Sequence, residues 1–148
     1  PTILALSRQN LPVVSSAAAA SAVRRGGYVL ADCPAPRVIL IATGSEVGLA
    51  LDAQRALATD GIAARVVSMP CVEAFDRQEP DYRDAVLPRA VPRLAIEAGV
   101  SGFWHKYVGL DGAVLGIDRF GESAPADQLF DCFGFTVANV VRMVKSLL

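Results

Sequence analysis

Val38-Ile39-Leu40-Ile41-Ala42 is an unbroken apolar run, the pattern of a strand buried on both faces of a parallel sheet. Behind it Val47, Ala50, Leu51, Leu57 and Ala58 recur at helical period, with Gln54 the one polar interruption and Gly61 placed to end the helix. Thr43 and Glu46, three residues apart, read as a capping box at the start of that helix. Residues 64–69 return to strand, which completes a strand-helix-strand unit. Residues 28–31, 94–97 and 113–117 read as further strands, and Pro34-Ala35-Pro36 as a turn. Residues 72–87, charged and of mixed period, are predicted as one helix closed by Pro88, and residues 102–108 as a short aromatic helical turn. Ser123 is placed to cap a helix through Phe133 that Gly134 stops. The last helix, 137–148, has Thr136 as N-cap, with Phe135 and Val140 as a hydrophobic staple and Val140, Val141, Val144 and Leu148 on one face. Alternating strands and helices predict an α/β fold, a three-layer α/β/α domain around a mostly parallel, mixed sheet of about five strands.

Residues 1–25 follow another rhythm. An apolar stretch over 3–6 runs into the polar tip Ser7-Arg8-Gln9-Asn10, residues 12–16 read as loop, and residues 17–25 as a short helix ended by Gly26-Gly27. A strand in the first residues needs neighbours, because unpaired strand edges are a liability that proteins cover. We therefore expect residues 1–25 to be the end of a preceding domain plus a connector, and residues 26–148 to be one compact domain of a longer polypeptide. Arg8 sits where strand meets loop, suited either to bidentate capture of a phosphate or carboxylate or to a solvated edge.

Charge narrows the partners. With Lys and Arg totalling 14 against 15 for Asp and Glu, there is no basic field for nucleic acid or an anionic membrane surface. No apolar run reaches the roughly 18 residues of a membrane span. Cys33, Cys71 and Cys132 lie far apart without a C-x-x-C spacing, in a chain large enough to need no staples, and so are expected to be reduced thiols of a cytoplasmic protein.

Ligands of open α/β sheets gather beyond the carboxyl ends of the strands. The loops there are Thr43-Gly44-Ser45, Met69-Pro70-Cys71, Glu97-Ala98-Gly99 and Phe120-Gly121-Glu122-Ser123. The first offers a helix N-terminus to an anion, yet it has one glycine and no phosphate-loop lysine, so capping alone is the simpler role. Cys71 and His105 are conceivable as nucleophile and base, and Glu97 and Glu122 as paired carboxylates, but each has an ordinary structural reading: Trp104, His105 and Tyr107 as an aromatic packing cluster, the glutamates as caps. One histidine and scattered cysteines supply no metal-ligand spacing. The residues alone give a domain without a complete active site.

Six runs together resemble the C-terminal end of transketolases: Leu6-Ser7-Arg8-Gln9-Asn10, Gly26-Gly27-Tyr28-Val29-Leu30, Ile41-Ala42-Thr43-Gly44-Ser45-Glu46-Val47, Arg65-Val66-Val67-Ser68-Met69-Pro70, Tyr107-Val108-Gly109-Leu110 and Phe120-Gly121-Glu122-Ser123-Ala124-Pro125. They occur in family order over nearly the whole chain. The resemblance implies transfer of a two-carbon ketol unit between sugar phosphates by a homodimer that uses thiamine diphosphate and a divalent metal (Mg or Ca). It also implies that the cofactor lies between upstream diphosphate-binding and pyrimidine-binding domains, so this segment alone would hold neither cofactor nor metal and would be inactive. One site residue carries over: Arg8, of the family's S-R-Q-N run, as a ligand of the substrate's terminal phosphate. The alternatives are a free-standing module of the same fold that binds a small anion or partner, and the C-terminal domain of a related thiamine diphosphate enzyme.

Overall fold

The computed structural model describes residues 3, 9–14 and 19–148. Arg8 and most of the strand expected over 3–6 lie outside the described residues; Ile3 is exposed. A short helix α1 (Ala19–Val23) leads through Gly26, which has a left-handed φ of 81°, into β1 (Tyr28–Ala31). The chain continues as β2 (Val38–Ala42), α2 (Glu46–Thr59), β3 (Ala64–Ser68), α3 (Val72–Asp76), α4 (Pro80–Val86) and β4 (Arg93–Ile96). A 3-10 turn (Ser101–Trp104), α5 (His105–Val108), β5 (Ala113–Leu115), α6 (Ala126–Phe133) and α7 (Val137–Leu147) complete it.

The strands form a sheet in the order β1-β3-β2-β4-β5. Only β1 is antiparallel, pairing with β3; the β3-β2, β2-β4 and β4-β5 pairs are parallel. The expected mixed, mostly parallel sheet is thus observed, with β2 at its centre. Both faces of β2 are covered, which is why its sequence is apolar throughout. Val38, Leu40 and Ala42 join a core with α2 and α7, whereas Ile39 and Ile41 join a second core with Phe75, Val86, Trp104 and Tyr107. β4 divides likewise, Leu94 and Ile96 to the first core and Ala95 to the second. Burial of each such Val, Leu or Ile side chain contributes about 1.5–3 kcal/mol. Gln54 interrupts the apolar face of α2 for a reason: its Nε2 donates to the Ala64 carbonyl at 2.8 Å, tying helix to strand.

Three local expectations are corrected. Residues 72–87 are two helices, because Pro80 has no N–H to donate and holds Glu79 extended (ψ 145°), so α3 ends before it and α4 starts on it. The Thr43–Glu46 capping box does not form. Gly44, at φ 55°, turns the chain so that α2 begins at Glu46 behind Ser45, with no side-chain cap bond. Ser123 does not cap α6, which starts at Ala126 behind an extended Pro125; a residue before proline is kept from the helical region, so Ala124 cannot extend the helix backward. The α7 cap is as expected: Thr136 accepts from the Asn139 N–H at 3.2 Å, and Phe135 and Val140 are both buried in the first core.

Candidate functional site

The carboxyl ends of β2, β3 and β4 open onto two neighbouring cavities. The larger, about 570 Å³, is walled by Thr43, Met69, Cys71, Glu73, Glu97 and Trp104. The other, about 330 Å³, is walled by Ser45, Glu46, Glu122, Phe130 and Phe135, and by Gln9, the residue after Arg8. Three of the four loops singled out in the sequence contribute to the first cavity, and the fourth contributes Glu122 to the second.

Between the cavities stand two carboxylates, Glu97 and Glu46, rather than the conceivable Glu97 and Glu122. Glu122 is out on the surface, in an ion pair with Arg119 at 2.6 Å. The neighbour of Glu97 is Glu46, brought beside it because β2 and β4 are adjacent parallel strands and both residues follow their carboxyl ends. Glu46 is only 4% exposed. Burial raises its pKa, partly offset by its own N–H, the Ser45 hydroxyl at 3.1 Å and the Ala98 N–H. Glu97 is less well satisfied: its buried Oε2 has no hydrogen-bond partner among the described residues. Burial first, and the Glu46 charge second, push the Glu97 pKa up to about 7. The pair therefore holds a proton near neutrality. Sequence reasoning missed Glu46 because its position at a helix start suggests a cap, and nothing local signals that it turns inward.

The other constellations dissolve. Cys71 is exposed and its thiol faces Glu73 at 3.5 Å, while His105 is exposed and absent from the cavity wall, so no nucleophile and base meet there. His105 also stands apart from the aromatic cluster, which is Phe103, Trp104 and Tyr107, with Trp104 and Tyr107 centroids 5.8 Å apart. Among the described residues no three His, Cys, Asp or Glu side chains converge on a metal position. Glu73 and Glu97 line one cavity and Glu46 and Glu122 the other, so the ionisable side chains on both walls are acidic.

Ionisation of Glu97 fixes a pH dependence. Its folded pKa lies above the ordinary carboxylate value near 4.5, so the folded state binds the proton more tightly and stability falls as pH rises from about 4.5 to about 7. Discounted for partial exposure, the loss is on the order of 1–2 kcal/mol. Glu97→Gln should remove it, leaving a variant about as stable as the parent at pH 5 and 1–2 kcal/mol more stable at pH 8 by urea unfolding. An unchanged slope between the two pH values would show that Glu97 ionises freely.

Fold and site together define a three-layer α/β domain whose strand ends carry the buried Glu46 beside Glu97. Residues 26–136 match the family model described as the transketolase-like TK C-terminal domain. The chain belongs to that family. Over its full length it is 56% identical to transketolase 2 of Vibrio parahaemolyticus, of which it spans 23%. A transketolase structure from Pichia stipitis, in complex with sedoheptulose-7-phosphate, superposes on 95% of the chain with a TM-score of 0.84 and 41% identity, the chain covering 20% of it. A structure described as a split gene transketolase, inactive beta4 tetramer, superposes on 95% of the chain at a TM-score of 0.70 and 25% identity, with 48% of its own length covered. The chain thus spans a quarter or less of the first two relatives and about half of the split-gene protein.

Proposed function

We propose that the chain serves as the C-terminal domain of a transketolase, an enzyme that moves a two-carbon ketol unit from a ketose phosphate to an aldose phosphate. The observation that carries this reading is likeness to transketolase 2 of Vibrio parahaemolyticus over the whole of the chain. On it, residues 26–148 are the C-terminal domain, and residues 1–25 are the end of the pyrimidine-binding domain and its connector. Thiamine diphosphate and its divalent metal belong to the upstream domains of a homodimer. The described residues do not fit that cofactor, since the strand-end cavities are acidic and no metal-ligand set converges among them.

Arg8 is then the one residue of this segment that touches substrate, holding the terminal phosphate through its planar, permanently charged guanidinium. Gln9, beside it in sequence, lines the same cavity as Ser45, Glu46 and Glu122, which supports a role for the strand-end loops in seating the Ser7-Arg8-Gln9-Asn10 run. Cys33, Cys71 and Cys132 are free thiols, in keeping with a cytoplasmic location. Among the described residues no helix is long and apolar enough to cross a membrane.

Calorimetric titration of the isolated chain with thiamine diphosphate and magnesium tests the division of labour. No binding heat and no ketol transfer are expected. Tight, magnesium-dependent binding would overturn the assignment of the cofactor to upstream domains.

A further inference from the structure

On the other side of the second core, between α3, α4 and α5, lies a cavity of about 210 Å³ that the transferase reading does not use. Four cationic side chains reach it, Arg83, Arg89, Arg93 and Lys106, against two carboxylates, Asp76 and Asp84. Both carboxylates are already engaged: Asp76 by Lys106 at 2.6 Å and Asp84 by Arg89 at 3.3 Å. That leaves two guanidiniums. Arg93 is held in place by carbonyl oxygens alone, Nη1 donating to Tyr107 at 2.7 Å and Nη2 to Leu87 at 2.8 Å and Pro88 at 3.1 Å. Those bonds fix its position without cancelling its charge. Arg83 makes no ion pair among the described residues, and its buried Nε meets no acceptor.

A buried N–H without an acceptor costs about 1–3 kcal/mol, more when charged, and a half-buried cation without a counter-charge adds to that. Arg83 and Arg93 leave the cavity with two surplus positive charges, a volume suited to a small tetrahedral ion, and a buried Arg83 Nε that has no acceptor among the described residues. We propose that this cavity is a binding site for a small oxyanion carrying two charges, a phosphate or a phosphomonoester, gripped by Arg83 and Arg93. Burial lowers the Arg93 pKa, with Asp84 working in the opposite direction, so the site has reason to take up a counter-charge beyond its own carboxylates. Free phosphate and a phosphorylated metabolite share this chemistry.

The test is ¹⁵N NMR of the arginine side chains in the full chain, titrated with inorganic phosphate and, separately, with glucose 6-phosphate at matched ionic strength. Saturable shifts of the Arg83 and Arg93 Nε resonances are expected, with Kd on the order of 1 mM, as two charge-assisted contacts supply. Tighter binding of the ester points to a phosphomonoester and tighter binding of phosphate to the free ion; both support the site. Arg83→Gln should weaken binding about tenfold or more, whereas Arg55→Gln, on the exposed face of α2, should not. The unsubstituted chain gives the answer even if Arg83→Gln does not fold. Absent shifts, equal shifts with sodium chloride, or an Arg83→Gln variant that folds and binds unchanged would overturn the proposal.

Discussion

Gly26→Ala should unfold much of the population at moderate urea, with a loss of about 2–5 kcal/mol. Two costs combine. At φ 81° an L side chain carries about 1–2 kcal/mol of backbone strain. In addition, a Cβ there would collide with the Cys71 carbonyl oxygen and the Phe75 nitrogen, both backbone atoms, and approach the Ala74 Cβ to 2.7 Å. Relief requires moving the start of α3, whose Cys71 N–H donates to the Gly26 carbonyl at 2.9 Å, so a further 1–3 kcal/mol or so is lost to overpacking. Gly61 separates the two terms: its φ is 71°, yet nothing lies within 4 Å of an added Cβ. Gly61→Ala should cost only about 1–2 kcal/mol. Equal losses for both variants in urea unfolding would mean that the contact between the connector and α3 contributes nothing.

Within an intact ketol transferase, Arg8→Ala should lower kcat/KM for phosphorylated sugars by about ten- to a hundredfold. Charge-assisted hydrogen bonds contribute about 1.5–3 kcal/mol, and a contact remote from the reacting carbonyl is made equally in ground and transition states. The loss should therefore fall mostly on KM. Lysine should restore only part, lacking the planar fork. Steady-state kinetics with hydroxypyruvate and glycolaldehyde supply the contrast, because these substrates have no phosphate and their rates should hardly change. An equal loss for both substrate classes would remove the phosphate role.

What could be read from the sequence is what short-range physics decides. β2 declares itself because a strand covered on both faces leaves no polar alternation, and α7 because Thr136 caps it and its valines recur at helical period. Pro80 was equally visible, but averaging over the charged 72–87 stretch hides the break it imposes. The carboxylate pair was not legible for a different reason. Glu46 meets Glu97 only because β4 pairs with β2 on the side opposite β3, and that order is set by long-range pairing. The same holds for Arg83, Arg93 and Lys106, spread over 24 positions and united by the packing of α4, β4 and α5 on one face. Phe103, in the 3-10 turn before α5, takes the place expected of His105 in the aromatic cluster.

The proposed role as the C-terminal domain of a ketol transferase is tested most directly by replacing a relative's matching segment. A chimera in which the chain replaces the matching segment of Vibrio parahaemolyticus transketolase 2 can be assayed for ketol transfer from a ketose phosphate to an aldose phosphate. On the proposed role, kcat/KM should stay within about tenfold of the parent, because Arg8 is retained. A chimera that folds, dimerises and holds thiamine diphosphate, yet transfers no ketol unit, would contradict it.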